Sequence, residues 1–261
     1  MEPRTAIAVL SALTMAMLAP AAAFAQDPAP QPTPAPTPEP PEAEQPLDIP
    51  APSRTKGSTV ARIVAPAFAR AELGSRKRGW RVRTATAWSK QPQVLLVLDS
   101  ATVDGKDWVK VLLADRPNGS AGWIPRDGVV LDRTRYWVTV RVRTRRVTVY
   151  RDGKRARSFR AVVGKPRTPT PLGLAAIYER NRQPDPGAFL GPWALSLTSL
   201  SNVLESFGGG PGRVAIHGRD AGSLRDPLGS ARSHGCVRVD NGNVRWMAAR
   251  VPVGTPVRVK R

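Results

Sequence analysis

Residues 215–241 read AIHGRDAGSLRDPLGSARSHGCVRVDN, and this stretch holds the only cysteine of the chain, Cys236, together with both of its histidines, His217 and His234. A thiol attacks as the thiolate, and its free pKa of about 8.5 keeps it mostly protonated at neutral pH. A nearby imidazole that removes the proton is the commonest way to make a cysteine reactive. All three groups capable of this chemistry therefore fall within one short segment, which marks it as a candidate nucleophilic site. Composition leaves three other readings open, one of them that the histidines are loop residues of no consequence. Cys236 suits a small buried hydrophobe, and two His with one Cys suit zinc with an open position, although no fourth ligand stands at motif-like spacing.

Outward from this stretch the pattern is that of strands. Upstream, WVTVRVRTRRVTVYRDGKRARSFRAVVG (137–164) alternates with period two, with Val138, Val140 and Val142 on one face against Thr139, Arg141 and Arg143 on the other. Asp152-Gly153 is a hairpin turn signal. A Gly/Pro-rich loop over 205–212 leads to the strand carrying His217. Downstream, residues 243–250 suit a short helix, and Gly254-Thr255-Pro256 turns into a last strand over 257–260.

The histidine, a sixteen-residue step to Ser233, and then Ser233-His234-Gly235-Cys236-Val237-Arg238 with Asn241 following resemble the signature of the L,D-transpeptidase (YkuD-like) catalytic domain. The run Thr168-Pro169-Thr170-Pro171-Leu172-Gly173 resembles a turn of the same family. The resemblance covers residues 134–261 and implies a two-sheet β-sandwich of mixed strands with short helices, which agrees with the strand-dominated order.

The N-terminus is organised differently. Arg4, an apolar run over 6–18 and Ala23-Phe24-Ala25 fit a secretory signal peptide over residues 1–25, cut before Gln26; an uncleaved anchor is the alternative. Residues 26–56 contain eleven prolines and scattered acidic residues, the composition of an extended disordered linker. Residues 57–132 read as short strands with turns at Asp104-Gly105 and Asn118-Gly119. Their segment DGKDWVKVLLADRPNGSAGWIPRDGVVL (104–131), with Trp108 and Trp123 on two strands, resembles bacterial SH3-like modules. The expected fold class is therefore mostly β, a small SH3-like β-barrel followed by an L,D-transpeptidase-type sandwich. The barrel is expected either to engage wall or substrate or only to buttress its neighbour.

Net charge is +20. Residues 26–56 carry five acidic and two basic side chains and residues 1–25 balance to zero, so the remainder carries +23. Such an excess suits nucleic acid, but an export signal argues against that partner. Attraction to the carboxylates and phosphates of a bacterial wall accounts for it better, placing the protein in the wall or a periplasmic-type space. A single cysteine also rules out an internal disulfide.

The resemblance implies roles residue by residue. Cys236 is the nucleophile and His217 the proton acceptor and donor, with Gly218 beside it where the family orients the imidazole through a backbone carbonyl. His234 lies two residues from Cys236 and is the competing base, because i and i+2 share a face in a strand. The amides of Gly235 and Cys236 are candidates for an oxyanion hole. Ser233 hydrogen-bonds in the loop or contacts substrate, Arg238 offers a fork to a carboxylate of substrate or protein, and Asn241 fixes the loop. Asp220 and Asp226 read as turn residues. The implied reaction is acylation of Cys236 by a peptidoglycan stem tetrapeptide with loss of D-alanine, followed by attack of an amine to give a 3→3 cross-link. Neither cofactor nor metal is expected, and oligomeric state is undetermined. The alternatives are a secreted cysteine carboxypeptidase or wall peptidase, and a non-catalytic wall-binding protein.

Overall fold

A computed structural model describes residues 47–75, 77 and 79–261. The expected signal peptide and the first part of the expected linker lie outside the described residues. The linker is corrected at its C-terminal end. Leu47 packs against the first hydrophobic core, Ile49 is buried in it, and Ser100 Oγ joins them by donating to Leu47 O (2.8 Å) and accepting from Ile49 N (2.7 Å). Two aliphatic side chains suffice to hold this end of a proline-rich stretch onto a sheet.

Seven strands follow: β1 (Ser58–Ile63), β2 (Ala67–Ala69), β3 (Trp80–Val82), β4 (Val94–Val103), β5 (Lys106–Leu112), β6 (Ala121–Pro125) and β7 (Val129–Thr134). Five of them form a sheet in the order β6-β5-β4-β1-β7, and β2-β3 is a separate ribbon. That ribbon docks on β6 through paired backbone bonds between Arg70 and Trp123. Asp104 and Gly105 both take positive φ between β4 and β5, the requirement of a tight type I′ hairpin. Leu95, Val97, Val109, Val111 and Ile124 form the centre of the core.

The second half comprises β8 (Tyr136–Arg141), β9 (Arg146–Arg151), β10 (Lys154–Arg160), β11 (Val163–Gly164), β12 (Gly173–Arg182), β13 (Trp193–Leu200), β14 (Arg213–His217), β15 (Ala231–Ser233), β16 (Val237–Arg238), helix α1 (Asn241–Arg250) and β17 (Pro256–Lys260). The alternation expected through Arg143 stops at Arg141, because residues 142–145 turn the β8–β9 hairpin with Arg145 at positive φ. Asp152-Gly153 turns the next hairpin as expected.

The two-sheet sandwich is replaced by one curled, mixed eight-stranded sheet, β10-β9-β8-β17-β12-β13-β14-β16. The join is β12. Its first residues pair with β17 and its last with β13, with a register break between Ile177 and Glu179. A strand that changes partners at a bulge turns a corner, so the two arms of the sheet close on one core. Val138, Val140 and Val149 from one arm meet Leu195, Leu197 and Ile216 from the other, with Val244 and Met247 of α1 in the same cluster. Asp240 caps α1 by accepting from Gly242 N (2.8 Å).

Several contacts tie the two halves: Leu96 and Leu112 share a small core with Ala176, the Thr134 and Thr255 hydroxyls are 3.1 Å apart, and Arg116 and Ala114 bond within residues 201–213. Asn118 accepts from Leu200 N and donates to Leu200 O, each at 2.7 Å. Residues 86–93 meet β12 through Tyr178 and Glu179.

Candidate active site

His217 ends β14, which lies between β13 and the two-residue strand β16. The β14–β16 pairing is parallel, with Ile216 opposite Val237 and His217 opposite Arg238. Cys236 stands one step before β16, so the register sets it on the same face as His217, diagonally across the pair. Both side chains line one small pocket of about 20 Å³ with His234, Arg238, Phe189 and Phe207. That volume is room for a single water.

The loop carrying Cys236 is held from within and from across the fold. Ser233 Oγ donates to Cys236 O (2.6 Å) and accepts from Gly235 N (3.1 Å). Thr170 Oγ1 donates to Gly235 O (2.9 Å) while accepting from Gly164 N, and Thr168 Oγ1 donates to Ser233 O. The threonine-proline turn singled out in the sequence is therefore a clamp on the cysteine loop. Gly235 has φ +120°, which an L side chain rarely adopts. Two expectations change here. The Ser233 side chain is fully buried and engaged in the loop, leaving no surface for substrate. The Gly235 amide is already donating to Ser233, so of the two oxyanion candidates the amide of Cys236 remains.

The segment after His217 is equally fixed. Asn241 Oδ1 accepts from Arg219 N (2.7 Å) and Asn241 Nδ2 donates to Arg219 O (3.0 Å), so Asn241 holds the loop. Gly218 is buried, and a Cβ there would lie 2.4 Å from Asn241 Oδ1. Arg238 donates through Nη1 alone to a carboxylate of the protein, Asp226 Oδ2, at 2.8 Å. Asp226 is thus more than a turn residue: it is the counter-charge of an arginine whose side chain is 7% exposed.

The two histidines differ sharply. His217 is completely buried, and neither ring nitrogen has a partner within hydrogen-bonding geometry. Burial pushes its pKa down to about 4 and the charge of Arg238 adds to this, against the backbone of Gly218 and Leu190 and the charge of Asp220. At neutral pH it is an unprotonated base lining the same pocket as the thiol. His234 is exposed and has Nε2 3.2 Å from Lys165 Nζ. Partial burial and then the charges of Lys165 and Arg238 push its pKa down too. Cys236 keeps some surface as a residue, but the surroundings of its thiol are closely filled. That desolvation pushes the thiol pKa up, with the Ala215 backbone and Arg238 working against it. The resting pair is therefore neutral thiol and neutral imidazole, and proton transfer accompanies attack.

A row of rings covers this pair. Phe189 lies 5.8 Å from His217 and 6.0 Å from Phe207, which is stacked 6.1 Å from His234. Both phenylalanines are more than two-fifths exposed, in a chain with only five. Sequence reading missed them; the one signal was a phenylalanine standing alone in each of two Gly-rich loops. Beyond the row a cavity of about 470 Å³ opens from Cys236. Among the described residues no cluster of three or more His, Cys, Asp or Glu is placed to hold a metal ion.

Residues 135–259 match the family model of the L,D-transpeptidase catalytic domain, YkuD. The YkuD protein of Bacillus licheniformis is 29% identical over 169 residues, spanning 62% of this chain and 92% of that protein. Its Bacillus subtilis namesake is 28% identical over 170 residues, 63% and 93% of the two chains. An L,D-transpeptidase structure from Mycobacterium smegmatis aligns with 77% of this chain and 99% of its own at 17% identity and a TM-score of 0.39.

Proposed function

We propose, from the premise that residues 135–259 are an L,D-transpeptidase catalytic domain of the YkuD family, that this protein cross-links peptidoglycan stem peptides through a Cys236 thioester. The observation that carries the residue assignment is a neutral, unpartnered His217 and the sole thiol lining one pocket. Cys236 Sγ attacks the carbonyl carbon of the third stem residue as His217 takes the thiol proton. The tetrahedral oxyanion forms next to the Cys236 amide. Its collapse breaks the peptide bond, and the proton on His217 passes to the leaving amine of D-alanine. An amine of a second stem then attacks the thioester, His217 takes the proton the amine sheds and returns it to sulfur, and a 3→3 link results. Arg238, paired with Asp226, keeps positive charge beside the site and so favours a neutral His217.

The domain division that best fits this activity is a leader over 1–25, a spacer of which residues 26–46 remain after the correction above, an SH3-like module over 57–132 and the catalytic domain over 134–261. The leader and the +23 charge of the remainder support an exported protein held at an anionic wall. A second reading, carboxypeptidase action, uses water in place of the amine at the same thioester. Purified protein incubated with disaccharide-tetrapeptide distinguishes the two by mass. The transpeptidase releases D-alanine and yields a dimer, the carboxypeptidase yields a tripeptide without dimer, and Cys236→Ala yields neither. Dimer formation by Cys236→Ala, or no D-alanine release by the wild type, would overturn the assignment.

A further inference from the structure

The cavity that opens from Cys236 is walled partly by residues that lie far outside the catalytic domain. Its lining includes Ala87 and Trp88, from the hairpin connecting β3 to β4, together with Asn181, Gln183 and Phe207. Trp88 is 70% exposed, the most exposed of the large apolar side chains among the described residues. An indole left in water at the mouth of a reactive cavity has no packing role to explain it, and tryptophan is a preferred anchor for ligands.

The hairpin presenting it is not a loose loop. Thr86 N donates to Gln91 O (2.9 Å), and Gln93 N donates to Thr84 O (2.7 Å). Lys90 takes φ +56°, an uncommon conformation for a residue with a side chain, and its Nζ donates to Ala87 O (2.8 Å). Across to β12, Ser89 donates from both N (3.1 Å) and Oγ (2.9 Å) to Glu179 Oε1. Ala87 N donates to Tyr178 Oη, and Gln91 Nε2 donates to Arg180 O. Glu179 is 2% exposed; burial works to raise its pKa, but hydrogen bonds from Thr86, Ser89 and Asn181 outweigh this and hold the carboxyl below its usual range. A buried carboxylate devoted to anchoring a neighbouring hairpin keeps the residue at its tip in a fixed place.

We propose that Trp88 is a substrate-positioning residue: its ring forms the outer wall of the Cys236 cavity and holds the peptide stem that enters it. This rests on the transpeptidase reading for the identity of the stem. The cavity falls within the ordinary range of ligand sites. Its lining is largely apolar, with Trp88, Phe189, Leu190 and Phe207, and the Gln183 side-chain carbonyl beside them is an acceptor for a peptide N–H, the Gln183 amide nitrogen being held by Asn181 O. The N-terminal module is then part of the substrate cleft, with a role separate from any attachment to the wall.

The test measures binding without turnover. Disaccharide-tetrapeptide is titrated calorimetrically into Cys236→Ala and into Cys236→Ala/Trp88→Ala. The double variant should bind about tenfold more weakly, and Trp88→Phe in the same background should recover most of the loss. In the enzyme with Cys236 intact, Trp88→Ala should raise KM while leaving kcat, Tm and the rate of iodoacetamide alkylation of Cys236 unchanged. A merely structural tryptophan would lower Tm or alter alkylation. Equal affinity of the two Cys236→Ala proteins, or binding by neither, overturns the proposal. Trp88-dependent binding by a protein whose wild type releases no D-alanine would reject the transpeptidase reading while leaving the role of Trp88 standing.

Discussion

Acidification should reveal His217 through stability before it reveals it through activity. The ring has an ordinary pKa of about 6.5 in the unfolded chain and about 4 in the folded one, depressed by burial. A depressed base is neutral in the native state, so below pH 6.5 the unfolded chain binds the extra proton. Stability therefore rises with pH across the window from 4 to 6.5 and is lost as pH falls through it. Two and a half pKa units correspond to a ceiling of about 3 kcal/mol, of which about 2 kcal/mol is lost between pH 7 and pH 5. That interval lies above most of the carboxylate titration. Urea unfolding of wild type at the two pH values should show the midpoint falling by about 1 M. His217→Asn, which has no ring to protonate, should show a markedly smaller fall. His234 contributes in the same direction in both proteins and cancels in the comparison. Equal pH dependence in the two proteins, or an NMR titration showing His217 protonated in folded protein at pH 6, would refute the desolvated, neutral base.

Three further outcomes follow from contacts around the site. Gly218→Ala places a Cβ 2.4 Å from Asn241 Oδ1 and 2.8 Å from Pro192 Cδ, and should destabilise by about 1–3 kcal/mol in denaturant unfolding. Asp226→Asn leaves the Arg238 guanidinium without its charged partner and should destabilise by about 2–3 kcal/mol, somewhat under the range for a fully buried pair because Asp226 keeps 22% exposure. Alkylation of Cys236 by iodoacetamide should rise through an apparent pKa above the ordinary thiol value, because burial raises it; a plateau already reached at pH 7 would show a preformed thiolate instead.

The site was legible where chemistry is local. Residue types alone nominate Cys236, His217 and His234, and the family resemblance adds the loop from Ser233 to Asn241 and the choice of His217 as base. The helix and the last strand were legible from spacing and turn signals. What the sequence hid is long-range. Thr170 reaches Gly235 across 65 positions, and Asp226 finds Arg238 only once β16 lies against β14. The corner in β12 has no local signal either, since a bulge between Ile177 and Glu179 looks like ordinary alternation in the chain. Proline content dominates a composition window and hides that two of its side chains, Leu47 and Ile49, pack on the first core.

The raised thiol pKa also bears on chemical endurance. Peroxides attack the thiolate, so a cysteine kept in its protonated form by desolvation is a slow target for oxidation. The chain has no second cysteine, so a sulfenic acid at position 236 could not be trapped as an internal disulfide and would stay open to irreversible over-oxidation. The resting neutrality that the proposed mechanism has His217 relieve at each turnover therefore also slows oxidation of Cys236 between turnovers.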